Sequence, residues 1–225
     1  MTVRLEWCGH EFELLPERGM HWVAQRALLV ADAHLGKAAT FRNFGVPVPE
    51  QTTGAILARL DAMIARTRCE RLIVLGDLLH AAAGRDEAMI EAVTQWRAQH
   101  AGLTIDLIRG NHDRRAGDPP ASWHMAVREE PWTEAGLALC HDPNIEIGEP
   151  EDPGQPRVGG HIHPGIRMNG SEGSTLRTAC FWFRERERVA VLPALGAFTG
   201  LAIVYPSKHD RVFAVGPGQV IEVGT

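Results

Sequence analysis

Five short apolar runs, each ending at a cluster of aspartate, asparagine or histidine, constrain this chain more than any other feature. Ala27–Ala31 stops at Asp32-x-His34, Arg71–Leu75 at Gly76-Asp77, and Leu103–Ile108 at Gly110-Asn111-His112-Asp113. Leu139 and Val158 lead likewise into His141-Asp142 and Gly160-His161-x-His163. Short, nearly unbroken apolar runs are what strands buried on both faces look like. Between the first three runs lie two stretches of helical periodicity. Ile56, Leu57, Leu60, Met63 and Ile64 recur within 50–67, and Met89, Ile90, Val93 and Trp96 within 86–100. Strand, helix, strand, helix, strand predicts an α/β unit with right-handed crossovers. In open α/β sheets ligands bind beyond the carboxyl ends of the strands, which is where the polar clusters would gather.

The rest of the chain reads around that frame. Residues 3–23 alternate as a hairpin at a sheet edge, with a turn at Pro16–Gly19. The segment holding Gly36, Lys37, Gly45, Pro47 and Pro49 reads as a loop, as do 114–122 and the acidic, proline-rich 142–156. From residue 121 onward strands dominate, at 137–140, 157–160, 175–183, 189–192, 201–205, 211–215 and 219–223, completing one domain over 1–225. No apolar run approaches the ~20 residues of a membrane helix. The N-terminus, with Arg4, Glu6, Glu11 and Glu13, lacks the order of a signal peptide, so a cytoplasmic protein without membrane contact is expected. Cys8, Cys69, Cys140 and Cys180 form no C-x-x-C pair and are expected as reduced, apolar-like residues. The net charge of −5 supplies no global field for nucleic acid, so any such binding needs a local basic patch.

Alternation along an extended chain puts residues i and i+2 on one side, so Asp32-x-His34 and His161-x-His163 can each aim two groups at one point. The collected groups are imidazoles, carboxylates and one amide, without thiolate. That inventory suits Mn²⁺, Mg²⁺, Fe²⁺ or Zn²⁺ and argues against a structural cysteine-zinc site. Seven candidate ligands, Asp32, His34, Asp77, Asn111, His141, His161 and His163, exceed what one tetrahedral ion takes. Two ions sharing a carboxylate would accommodate them.

In this order the clusters resemble the five-block signature of calcineurin-like metallophosphoesterases, over residues 32–163. Ala31–Lys37 with Phe41-Arg42, Gly45–Pro49, Gly160–Pro164, and Leu192–Gly196 with Phe198-Thr199-Gly200 further resemble the ligase-associated DNA damage response endonuclease family PdeM. Leu195 stands where an aromatic residue is expected of that family, outside the metal signature. The resemblance implies a four-layer α/β/β/α sandwich, with two mixed β-sheets flanked by helices. It assigns Asp32, His34 and His163 to one metal, Asn111, His141 and His161 to a second, and Asp77 to both. It also makes His112 the general acid or electrostatic stabiliser for the leaving oxygen, with Asp113 orienting its ring. The implied activity is Mn²⁺-dependent cleavage of DNA, single-stranded or otherwise accessible, in a repair setting with ligase or helicase partners. A small nucleotide or phosphomonoester is the alternative substrate. A non-catalytic scaffold fits less well, because all seven ligands and His112 are retained.

Lys37, Arg42, Arg114 and Arg115 flank the first and third clusters and are candidates for phosphates beside the scissile one. His80, three residues after Asp77, could line the same crevice. Trp123 and Trp132 are expected in the core, with base stacking as the alternative. The segment 142–156 could act as a lid.

Overall fold

The computed structural model describes residues 1–46, 52–144, 154–169, 175–196 and 198–224. Pro47, Pro49 and most of the expected lid lie outside the described residues. The first sheet has seven strands in chain order: β1 (Val3–Trp7), β2 (His10–Leu14), β3 (Met20–Trp22), β4 (Ala27–Val30), β5 (Arg71–Leu75), β6 (Thr104–Ile108) and β7 (Met125–Arg128). The first four are antiparallel neighbours and β4 to β7 are parallel. Helices α2 (Thr52–Thr67) and α3 (Glu87–Gln99) make the crossovers into β5 and β6. The Asp86 carboxylate caps α3 by accepting from Met89 N at 2.8 Å, satisfying a backbone donor the helix start would leave bare.

The second sheet comprises β8 (Trp132–Glu134), β9 (Leu137–Leu139), β10 (Arg157–Gly159), β11 (Pro164–Asn169), β12 (Thr175–Arg184), β13 (Val189–Val191), β14 (Ala202–Ile203), β15 (Arg211–Gly216) and β16 (Gln219–Val223). It is mixed, with β10 parallel to β9 and β13, and β12 antiparallel to β11, β13 and β15. Strand β4 shows why the apolar runs are unbroken. Leu28 and Val30 pack against α2 and α3, while Ala27, Leu29 and Ala31 face the second sheet. Between the sheets Leu75, Ile108, Val158, Phe181, Phe183 and Phe213 form a dry core. Each such side chain contributes ~1.5–3 kcal/mol by leaving water. The outer face of the second sheet carries a smaller cluster of Ile166, Cys180, Val212 and Ala214.

Several expectations need correction. Lys37–Asn43 is a short helix, α1, and Asn111–Ala116 is another, α4, so Lys37, Arg42, Arg114 and Arg115 stand on helices rather than loops. Both are too short for apolar periodicity to show. Strands β7, β8 and β11 are absent from the sequence pattern. Strand β11 opens with Pro164-Gly165, which punctuate a sequence, although a first strand position tolerates proline. Trp123 is fully buried, its Nε1 donating to Thr94 Oγ1 at 3.0 Å. Trp132 lies between the Arg71 and Arg128 guanidinium groups, each 4.9 Å from its ring. Those two arginines also neutralise buried Asp106, at 2.8 and 3.0 Å. All four cysteines are free thiols. No described helix is long and apolar enough to cross a membrane.

Phe213 is buried in the intersheet core, edge-on to Phe183 at 5.6 Å. Phe213→Ala should cost about 3–5 kcal/mol in denaturant unfolding. A loss under ~1 kcal/mol would mean the sheets do not share one core.

Candidate metal centre

The seven candidate ligands all follow the carboxyl ends of strands. Asp32 and His34 come after β4, Asp77 after β5, Asn111 at the start of α4 after β6, His141 after β9, and His161 and His163 after β10. They converge, but not by alternation along extended chain. Asp32, His34, Asp77, His161 and His163 all have left-handed backbone, with φ between 49° and 65°. That region is sparsely used by residues other than glycine, and side chains held there turn sharply out of the strand direction. Neighbouring glycines make room for them. A Cβ on Gly76, itself at φ 76°, would stand 2.3 Å from His141 Nδ1, and one on Gly160 would stand 2.5 Å from Asp32 Oδ2.

The contacts form two adjoining groups. In one, His163 Nε2 lies 3.4 Å from both His34 Nε2 and Asp32 Oδ1. In the other, His141 Nε2 lies 2.9 Å from Asn111 Oδ1, 3.0 Å from His161 Nδ1 and 3.5 Å from Asp77 Oδ1. The second oxygen of Asp77 is 3.7 Å from His34 Nε2, so this one carboxylate faces both groups.

These atoms are nearly all acceptors. His141 Nδ1 donates to the Leu75 carbonyl at 3.1 Å, so Nε2 is the ring nitrogen turned toward the cluster. Asp32 is fully buried, and among the described residues its Oδ1 has no hydrogen-bond partner. Carboxylate, amide and imidazole atoms gathered this closely are stabilised by a cation, and that donor set suits a divalent ion. Asp32, His34 and His163 form one group able to hold an ion, and Asp32, Asp77 and His141 another.

Burial depresses His34 to about 2, with the Lys37 cation and the neighbouring imidazoles adding to the effect. His34 is therefore neutral at any working pH, as a ligand must be. Burial pushes the Asp77 carboxyl up, and Asp32 adds to this, against the pull of His141 and the His112 N–H bond. Burial also lowers Lys37, while the Asp77 and Asp32 carboxylates hold its proton on.

The structure revises several peripheral expectations. Asp113 does not orient His112. Its carboxylate accepts from Gly110 N, Leu78 N and Leu79 N at 3.0, 3.3 and 2.8 Å, tying the turn before α4 to the segment after Asp77. His112 is oriented instead by the His80 carbonyl, which accepts from its Nδ1 at 2.7 Å. The His80 ring stacks on His112 at 4.8 Å, and its Nδ1 lies 3.4 Å from His34 Nδ1. The sequence carried only position as a signal for His80. Burial, then the Lys37 and His112 charges, lower it to about 4. Glu130, not singled out by sequence, holds the end of β9 by accepting from His141 N and Asp142 N at 2.7 and 3.0 Å. Lys37 stands beside the carboxylates, whereas Arg42 faces Asp86 at 3.8 Å. Arg114 pairs with Glu129 at 2.8 Å, and Arg114 and Arg115 are both exposed on α4.

The crystal structure of Pseudomonas putida nuclease MPE is similar to this chain at 41% sequence identity and a TM-score of 0.82, covering 99% of this chain and 100% of that one. This chain belongs to that metallophosphoesterase nuclease family. Yfce, a phosphoesterase from E. coli, aligns with 88% of this chain and 98% of its own at 17% identity and a TM-score of 0.41, too distant to inform the site. No protein-family model matches the chain, and no curated protein matches it either. The family membership and the acceptor cluster agree in pointing to a metal-dependent phosphoesterase.

For the metal-free protein, depressed histidines set the sign of pH dependence. Below pH 6.5 the unfolded chain binds protons that folded His34 refuses down to about 2 and His80 down to about 4. The unfolded state then holds more protons, so stability falls as pH falls. The raised Asp77 and Asp113 carboxyls act in the opposite sense. The Tm of chelator-treated protein should drop between pH 7.5 and 5.5. A constant or rising Tm would contradict the depressed histidines.

Proposed function

We propose that this chain is a Mn²⁺-dependent phosphodiesterase that cuts DNA strands through a dinuclear metal centre. Asp32, His34 and His163 would hold one ion and Asn111, His141 and His161 the other, with Asp77 shared. The observation that carries this reading is the Asp77 carboxylate, whose two oxygens lie 3.7 Å from His34 Nε2 and 3.5 Å from His141 Nε2. Kinship to a protein described as a nuclease supports a nucleic-acid substrate. The resemblance to the PdeM family supports single-stranded DNA, a repair setting and ligase or helicase partners. Manganese is the first choice among ions that accept imidazole with carboxylate and need no thiolate.

When bound, such a pair of ions supplies an activated water and neutralises charge on the phosphoryl oxygens. The protein's own groups set the geometry. Leu75 O fixes the His141 tautomer, and Asp113 ties down the backbone after Asp77 and before Asn111. His112, with Nδ1 committed to His80 O, turns Nε2 toward the cluster, 4.0 Å from Asp77 Oδ2. From there it can deliver a proton to the departing oxygen. Lys37 adds a positive charge beside the site for the phosphate.

Metal-stripped protein should be inert and should recover with Mn²⁺, hydrolysing bis-p-nitrophenyl phosphate faster than p-nitrophenyl phosphate and single-stranded faster than duplex DNA. His112→Ala should lower DNA cleavage by about 10²–10⁴-fold. Full activity after stripping would refute the metal centre, and monoester-only turnover would move the substrate to the small-molecule class.

A further inference from the structure

The loop after β13 is tied to the metal-ligand segments on both sides of an exposed aromatic ring. Leu195 N donates to Ala31 O at 2.8 Å and Gly196 N to Asp32 O at 3.0 Å; beyond the ring, Ala202 N donates to His163 O at 3.0 Å. Two arginines hold the loop's carbonyls. Arg59 Nη1 donates to Leu195 O at 2.6 Å, and Arg18 Nη1 donates to Ala194 O at 3.0 Å and Gly196 O at 3.3 Å. The Leu195 side chain is fully buried in the core. Phe198 lies between these anchors with 46% of its surface exposed.

A single exposed apolar side chain is ordinary. The surroundings of this one are not. Phe198 lines a groove with His34, Lys37, Thr52, Thr53 and Thr199, so an aromatic face, a cation and a candidate metal ligand share one wall of the protein. The groove shares Gly36, Ala38, Thr52 and Thr53 with a cavity of about 300 Å³ that reaches Arg42. That size is at the lower end of small-ligand pockets. The aromatic rings read from sequence as alternatives, Trp123 and Trp132, are unavailable, one buried and one held between arginines.

We propose that Phe198 is a stacking platform for the base of the nucleotide next to the scissile phosphate, and that Lys37 holds the phosphate between them. This rests on the phosphodiesterase reading above and adds what makes the enzyme select a strand. A base can lie on the ring only when it is free of its duplex partner and neighbours, so the platform favours unpaired strands, and it tolerates any base because every base has a π face. Holding the ring by backbone bonds to the Asp32 and His163 segments fixes it relative to the reacting centre, so a stacked base also positions the phosphate.

The test uses Mn²⁺-loaded protein and p-nitrophenyl diesters of thymidine 5′-phosphate and thymidine 3′-phosphate, each compared with the same ester lacking the base. Wild-type kcat/KM should be about tenfold higher with the base than without it for at least one of the two isomers. In Phe198→Ala that ratio should fall to near one, and in Phe198→Trp it should persist. Should the alanine variant fail to fold, Phe198→Leu serves in its place, since it keeps bulk but offers no π face. A ratio retained in the folded alanine or leucine variant would overturn the proposal, as would a wild type indifferent to the base. In both of those cases the phosphodiesterase reading stands. Failure of the wild type to hydrolyse any of the diesters would overturn that reading, and the stacking proposal with it.

Discussion

Burying Asp32 and Asp77 beside His34 and His141 crowds acceptors together, and among the described residues no donor reaches Asp32 Oδ1. A buried carboxylate oxygen without a donor costs several kcal/mol. Asp32 Oδ1 is such an oxygen, and the nearest ring nitrogens to it lie at 3.4 and 3.9 Å. The Nδ1 proton of His141 is already given to Leu75. A divalent cation would satisfy these lone pairs together. Folding and metal binding should therefore be coupled, with the apo site a reservoir of unfavourable energy that the ion relieves.

The architecture serves that arrangement. Both faces of β4 and β5 are buried, one against helices and the other against the second sheet, so the strand ends are rigid and dry. Beyond those ends and that of β10 the backbone turns left-handed at five of the seven candidate ligands. Glycines stand where any side chain would collide with a neighbouring ligand, as at Gly76 and Gly160. Asp113 and Glu130 add carboxylates that take no place among the ligands and instead hold backbone amides in position. A site built this way loses little entropy when an ion or phosphate arrives.

Much of this was legible in the sequence, for reasons that differ by element. Helices α2 and α3 are long enough for their apolar stripe to show, and β4 and β5 announce themselves because both their faces are buried. Helix α1 and strand β11 are short, or carry glycine and proline, and their existence depends on tertiary neighbours. The ligand types and their order could be read directly, since chemistry restricts which side chains can hold a divalent ion. Their backbone could not. Extended alternation was the natural reading of Asp32-x-His34, and the left-handed turns that replace it follow from packing against Gly76 and Gly160. The same holds for Asp113 and His80, whose parts in the site depend on residues some thirty positions away in sequence.

The most direct measurement is anomalous diffraction at the manganese edge from crystals grown with Mn²⁺. The account predicts two peaks about 3.5–4 Å apart, one beside each oxygen of Asp77, with His34 and His163 on one and His141 and His161 on the other. A map with no peak among these side chains, or with only one, would contradict it.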